Sequence, residues 1–196
     1  MTTITFPSSP KPAGMSWRLV QPAQQNISQW TGARQVLAFG RGWWECGLTL
    51  PPIVGETDAN SWRAFIALAR GAVNDFRVPV NEIAQSSATA TPLVNGAGQN
   101  GRSINTDGWP ASTTVLYAGQ FVTIANQLLQ LTADITSNAS GQATISFEPA
   151  IRVATVDNAA IEFKNPYALM YFLEDPGYSV EPGLVYSMSF NLRESF

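Results

Sequence analysis

The chain has 196 residues, of which 45% are hydrophobic and 11% aromatic. This composition supports a packed core, in one large domain or two small ones. A net charge of −3 and 11 scattered Lys and Arg residues offer no basic patch, so we expect no nucleic-acid recognition. The amino-terminal residues lack a secretion signal, and no apolar run reaches the roughly eighteen residues of a membrane span, so we expect neither.

Charged residues make up only 13% of the chain, about half of the roughly 25% typical of soluble domains. Subunit interfaces are depleted of charge, whereas the surface of a monomer usually carries it. The low charge therefore favours a subunit of an assembly over a merely neutral surface.

The first third of the chain predicts strands and one helix. Trp17 and Leu19 alternate with polar residues, and 35–39 is a second probable strand. In 43–50, the residues Trp44, Cys46, Leu48 and Leu50 fall on one face, which indicates a half-buried antiparallel strand with Cys46 as a buried apolar residue.

Residues 57–71 predict the only helix. Trp62, Phe65, Ile66 and Ala69 lie on one face of a 3.6-residue period, with Leu68 beside them. Thr57 or Asp58 is the expected amino-terminal cap, and Gly71 the residue that ends the helix. The apolar face is expected to pack on a sheet, because an isolated helix of this length is marginal in water.

The second half of the chain divides into a polar stretch and a series of short strands. Residues 84–112 are rich in Ala, Ser, Thr, Asn and Gly, which predicts a long loop with Trp109 docked within it. From 115 onward, strands at about ten-residue spacing indicate a small barrel or sandwich. The alternating strand at 185–193 is expected to return to the first lobe, near Trp62 and Phe65.

These patterns together predict a mainly β fold. We expect an antiparallel β-sandwich lobe from 1–84 and 166–196, with the helix at about 57–71 packed on it. Residues 85–110 are predicted to be a polar loop, and 111–165 an inserted small β-barrel-like lobe.

The sequence has little catalytic equipment. With no histidine, it excludes a Ser-His-Asp triad, a Cys-His pair and the common His-rich zinc sites. Scattered carboxylates could supply a glycosidase pair, but their positions favour solvated turns and strand ends; they are Glu45, Glu56, Asp58, Asp134, Glu148, Glu174 and Asp175. We predict no enzyme, no catalytic, metal or cofactor-binding residues and no cofactor.

Two other features have a functional and a structural interpretation. Gly96 to Gly101 matches the spacing G-x-G-x-x-G, but it neither follows a firm strand nor opens a helix, so a loop is favoured. An outward-facing Trp43, or Trp109, would stack on a sugar or be covered by a neighbouring lobe or subunit. Covering is the favoured interpretation.

Several segments follow one another in a recognisable order. They are the early strand with Trp17, the Trp43-Trp44 strand ending at Pro51-Pro52, the helix Ala59-x-x-Trp62-x-Ala64-Phe65-x-x-Leu68-x-x-Gly71, the stretch from Leu116 to Ile124, the stretch from Ala133-Asp134 through Gly141 to Arg152, and the closing Tyr186-Ser187-Met188 to Arg193-Glu194. In this order they resemble distal-tail or minor tail-tip proteins of long-tailed bacteriophages, over roughly residues 15–193. Gln120 stands where that family usually has an acidic residue.

The resemblance implies a structural virion protein at the tail tip, assembled in the bacterial host cytoplasm. It implies a homo-oligomeric ring, a hexamer, formed by the first lobe and connecting the tail tube to the tip or baseplate hub. The partners would be other copies of the chain, the tail tube protein, and hub, fibre or tape-measure proteins. The alternative from a different class is a carbohydrate-binding β-sandwich module that attaches to a host surface glycan.

Overall fold

A computed structural model describes residues 2–196 and has a mainly β architecture with a single helix in that range. One lobe has a mostly antiparallel sheet, with one parallel pair at its edge and the helix packed on it, and the other contains a nearly closed, barrel-like sheet. The predicted fold class is therefore confirmed. Within residues 2–196, no helix is long and apolar enough to cross a membrane.

The strands and the helix are numbered in chain order. The first half contains β1 Thr3–Ile4, β2 Gly14–Val20, β3 Ala23–Ile27, β4 Arg34–Ala38, β5 Trp43–Thr49, β6 Ile53–Val54, α1 Glu56–Ala69, β7 Asp75–Pro79 and β8 Leu93–Val94. The second half contains β9 Gly101–Asp107, β10 Thr114–Leu116, β11 Phe121–Ile124, β12 Gln127–Leu131, β13 Ile135–Thr136, β14 Ala143–Ile151, β15 Ile161–Glu162, β16 Tyr167–Phe172, β17 Ser179–Glu181, β18 Val185–Ser187 and β19 Ser189–Glu194.

The chain forms two compact units. The first unit comprises residues up to Arg18, Trp44–Val80 and Tyr167–Phe196, and the second comprises Leu19–Trp43 and Asn81–Pro166. The second unit thus includes residues 19–43, which the sequence pattern assigns to the first lobe. Residues 19–43 belong to the second unit because both ends of the segment form hydrogen bonds within it. Gln21 bonds to Glu148 of β14, and the Gly42 carbonyl accepts a bond from Arg152.

The first unit is organised around a six-stranded sheet in the order β1-β7-β16-β19-β5-β2. β19 lies between β16 and β5 and is antiparallel to both, which confirms that the last strand joins this sheet. The preceding β18 instead pairs with β17 and β6 in a separate three-stranded sheet.

Aromatic side chains hold α1 against this sheet. Trp62 is fully buried and stacks on Phe190 of β19 at a ring-centroid distance of 6.1 Å. Phe65 meets Phe76 of β7 edge to face at 4.8 Å, and Phe6 from the amino-terminal arm contacts the Trp62 ring at 5.3 Å. Edge-to-face and offset ring pairs contribute about 0.5–1.5 kcal/mol each beyond their buried area.

The ends of α1 differ from the prediction. The helix begins at Glu56, so Thr57 and Asp58 lie inside its first turn, and the cap position is Gly55, which makes no side-chain cap bond. At the other end, Arg70 has a left-handed conformation as well as Gly71. Ile66 is only half-buried and Leu68 is exposed, so the buried stripe of the helix consists of Ala59, Trp62, Phe65 and Ala69.

The second unit contains a six-stranded sheet in the order β15-β11-β12-β14-β9-β8. An isolated antiparallel bridge between Leu93 and Ala160 brings its two outer strands together, so the sheet is nearly closed. Its core is mainly apolar and includes Ile104, Leu129, Phe147 and Phe163. Closure of a sheet on itself protects its edges from pairing with other chains.

The prediction of a polar loop at 85–110 is wrong, because this segment contains β8 and β9. Ile104 and Thr106 point into the core while Ser103 and Asn105 face solvent, and β9 pairs with β14 along most of its length. The Thr106 hydroxyl donates to the Ala143 carbonyl at 2.7 Å. Strands are predicted from alternating apolar and polar residues. In β9 this alternation is weak, because one of the core-facing residues is a threonine, whose hydroxyl is hydrogen-bonded.

We predict that replacing Trp62 with Ala lowers the free energy of unfolding by about 3–5 kcal/mol, because it removes a fully buried aromatic ring. Thermal and urea unfolding measure the loss. Leu68→Ala, on the same helix but at an exposed position, is the matched control and should unfold like the parent protein. A Trp62→Ala melting temperature within a degree or two of the parent would contradict the assigned core.

We also predict that the thiol of Cys46 is unreactive in the folded protein. Burial in β5 raises its pKa from 9.0 to about 12, so at pH 8 almost none of the nucleophilic thiolate is present. A thiol-specific chromophore should therefore label the chain only after denaturant is added. Rapid stoichiometric labelling of the native protein at pH 8 would be the opposite result.

Candidate interaction surface

The most unusual surface of the second unit is the two-stranded hairpin of β3 and β4. Its strands pair only with each other, in the register Ala23 with Ala38 to Ile27 with Arg34. All ten strand residues are exposed. The hairpin is therefore a projecting element with two free strand edges and no covered face.

Both faces of this hairpin carry large apolar side chains. Paired residues lie on the same face of an antiparallel sheet, so Ile27 and Val36 belong to one face, and Leu37 and Phe39 to the other. Their exposed fractions range from 45% for Val36 to 63% for Ile27. Trp30, in the turn, is 98% exposed.

The turn at the tip is nevertheless well formed. The Gly32 amide donates to the Ser28 carbonyl at 2.9 Å, and the Thr31 amide donates to the Ser28 hydroxyl at 3.3 Å. Gly32 has a φ of 68°, a conformation that favours glycine. These bonds present Trp30 on an ordered turn.

The root of the hairpin is bound within the second unit. The Gln21 amide donates to one carboxylate oxygen of Glu148 at 2.9 Å, and the Arg102 guanidinium pairs with the other at 2.6 Å. At the opposite strand, Gly42 lies so close to β14 that an added Cβ would approach the Pro149 Cβ to 2.9 Å. The hairpin is thus held at its base, while its two strands are exposed. This arrangement is typical of a hairpin that binds a separate surface.

An isolated hairpin of this kind is marginally stable in water, because it has no third strand or helix to pack on. Proteins usually blunt exposed strand edges with Lys or Pro, and neither residue occurs in β3 or β4. A cluster of exposed apolar side chains next to free strand edges marks a binding surface. We therefore identify the hairpin, residues 21–42, as the candidate functional site.

In the first unit, the carboxylates considered for glycoside hydrolysis lie in an ion pair, at the start of the helix or in solvent. Glu45 is bonded to Arg18, Glu56 and Asp58 lie in the first turn of α1, and Glu174 and Asp175 are exposed. Asp75 and Glu194 are buried; the Glu194 carboxylate accepts a bond from the Trp44 amide at 3.1 Å.

In the second unit the carboxylates have structural partners. Asp134 accepts the Ala118 amide at 2.8 Å, and Glu148 anchors the hairpin root. Among residues 2–196, no group of three or more His, Cys, Asp or Glu side chains could hold a metal ion.

The glycine-rich segment from Gly96 to Gly101 is a strand connection. It joins β8 to β9, and its amides are engaged within the protein: Gly96 donates to the Asp157 carboxylate at 2.8 Å and Gly98 to the Thr155 carbonyl at 2.7 Å. A phosphate-binding loop needs free amides at a helix start. The segment does not have this geometry.

The tryptophans considered for sugar stacking are not free platforms. Trp109 is in the core of the second unit, where its indole N–H donates to the Thr106 hydroxyl at 2.7 Å and its ring meets Phe163 at 5.4 Å. Trp43 is half-buried. Trp30, which the sequence pattern did not single out, is the exposed indole; its position in Ser-Gln-Trp-Thr-Gly, a polar turn between two strands, was the available signal.

Comparison with known proteins gives no family assignment. No protein-family model and no curated protein sequence matches the chain. The hairpin is thus assigned as a candidate site on its exposure, register and attachment.

We predict that the double variant Trp30→Ser, Leu37→Ser has the same free energy of unfolding as the parent protein, to within about 0.5 kcal/mol. Both side chains are exposed, so their removal costs no core packing. The same variant should bind less of a dye that fluoresces on apolar surfaces. Ser substitution of the buried Leu129 is the contrasting control and should unfold the second unit. Cooperative destabilisation by the hairpin variant would show that these side chains are core residues.

Proposed function

We propose that the protein is a structural subunit of the tail tip of a long-tailed bacteriophage, assembled as a ring that joins the tail tube to the tip or baseplate hub. The proposal rests on the resemblance in segment order and on one structural observation. That observation is the anchored hairpin with exposed apolar side chains on both faces and two unpaired edges.

The hairpin supports self-assembly for a physical reason. Burial of an apolar side chain such as Ile27 or Leu37 stabilises an interface by roughly 1.5–3 kcal/mol, and the free edges add main-chain hydrogen bonds. A surface that inserts into a different surface of the next copy gives a heterologous contact, which closes into a ring when the rotation between copies is suitable. The low charge of the chain is consistent with extensive subunit contacts.

The ring we propose contains six copies and acts mechanically. One rim contacts the tail tube protein, and the other contacts hub, fibre or tape-measure proteins. We place the protein in the virion, at the tail tip, after assembly in the bacterial host cytoplasm.

The proposal predicts that an antibody to this protein labels one end of the tail, beyond the tube, in electron micrographs of intact particles. Particles assembled with the Trp30→Ser, Leu37→Ser variant should lack the label and the tip structure, because the variant folds but does not join a ring. Label along the whole tail, or none in purified particles, would contradict the proposal.

A glycan array tests the alternative of a carbohydrate-binding module. Trp30 is the tryptophan whose indole is exposed and can stack on a sugar. The variant Trp30→Ser, which lacks this indole, is therefore the matched control. The ring proposal expects no specific glycan signal from either protein. A signal that the parent protein gives and the Trp30→Ser variant loses would favour the attachment module.

A further inference from the structure

The first unit has a second, three-stranded sheet, formed by β17, β18 and β6. β17 lies at one edge of it, and all three β17 residues are exposed. Two large apolar side chains at this edge remain in water: Val180 of β17 is 51% exposed, and Leu184, in the turn between β17 and β18, is 50% exposed.

One face of this sheet is buried at β6 and β18 but exposed at β17, as the position of Val180 shows. Val180 pairs with Tyr186, which in turn pairs with Ile53, so the three side chains lie on one face. Tyr186 and Ile53 are buried, whereas Val180 remains half exposed. An additional strand beside β17 would cover Val180 and satisfy the free edge.

The segment that forms the hairpin and the segment that forms this edge carry charged residues of opposite sign, although Arg63 of α1 also lies against the Tyr178 and Tyr186 rings. Residues 19–42 contain Arg34 and Arg41 and no acidic residue, and residues 173–185 contain Glu174, Asp175 and Glu181 and no basic residue. All five side chains are exposed, and within residues 2–196 none of them is in an ion pair. Complementary charge at the rim of an apolar contact favours encounter and fixes orientation.

We propose that the β3–β4 hairpin of one copy adds to the β17 edge of the next copy, so that the two-stranded and three-stranded sheets become one five-stranded intermolecular sheet. The inference rests on the proposed ring function and names the contact that would build the ring. A second copy is the fitting occupant because one chain carries both halves of the contact, each apolar, each with an unpaired edge, and opposite in charge. Repetition of this heterologous contact leaves no free half in a closed ring.

The contact is tested by cysteine cross-linking in the full-length protein. Gln35 of β4 and Ser179 of β17 are exposed strand residues, and the native Cys46 is buried. The Gln35→Cys, Ser179→Cys variant, treated with a short bismaleimide at concentrations where the parent protein self-associates, should give a ladder that ends at the ring size. The Gln35→Cys, Ser140→Cys variant, which places the second thiol at an exposed turn of the second unit, is the control and should give none.

The outcomes separate the inference from the function on which it rests. Oligomers without cross-links in the Gln35→Cys, Ser179→Cys variant would overturn the inference and leave the ring intact. Cross-linked dimers from Gln35→Cys alone would overturn it as well, because they show hairpin against hairpin. A protein that stays monomeric at every concentration and on tail tubes would defeat the ring function together with the inference.

Charge reversal gives an independent measurement. Arg34→Glu alone and Glu181→Arg alone should each weaken self-association about five-fold, which corresponds to roughly 1 kcal/mol for a rim pair. The variant that carries both changes should regain the association of the parent protein, measured by sedimentation. Additive losses in the double variant would mean that these two residues do not face each other.

Discussion

The fold of the first unit depends on the packing of one tryptophan. Trp62 is fully buried between Phe6 of the amino-terminal arm and Phe190 of the last strand, and its indole N–H donates to the Pro10 carbonyl at 3.1 Å. This single side chain therefore joins the beginning, the middle and the end of the chain. Because the ends of the sequence meet in the first unit, the long segment between Val80 and Tyr167 leaves it and returns to it, and has a core of its own.

The hairpin shows the opposite balance. In the two cores, rings and aliphatic side chains are removed from water, whereas Ile27, Leu37 and Phe39 remain exposed on a well-ordered element. Long strands such as β5, β14 and β16 each bury one apolar face, whereas this hairpin buries neither of its faces. The explanation we propose is that the hairpin is completed by another copy, as a ring subunit of a phage tail tip requires.

The sequence predicted the elements that alternate strongly and missed those that do not. The strand with Trp44, Cys46 and Leu48, the helix face of Trp62 and Phe65, and the return of the last strand all follow from periodic apolar residues. β9 was missed because its solvent face is polar and its inner face includes a threonine. The hairpin was recognised only as a probable strand at 35–39, since periodicity reports which residues are apolar but not whether anything covers them.

Amide hydrogen exchange tests whether the hairpin is an assembly surface. In the free subunit, the outward-facing amides of β4 are open to water and should exchange rapidly. In isolated tails or assembled rings, the same amides should become strongly protected, while those of Leu129 and Phe147 in the core exchange slowly in both states. Outward-facing β4 amides that exchange equally fast before and after assembly would contradict this role for the hairpin.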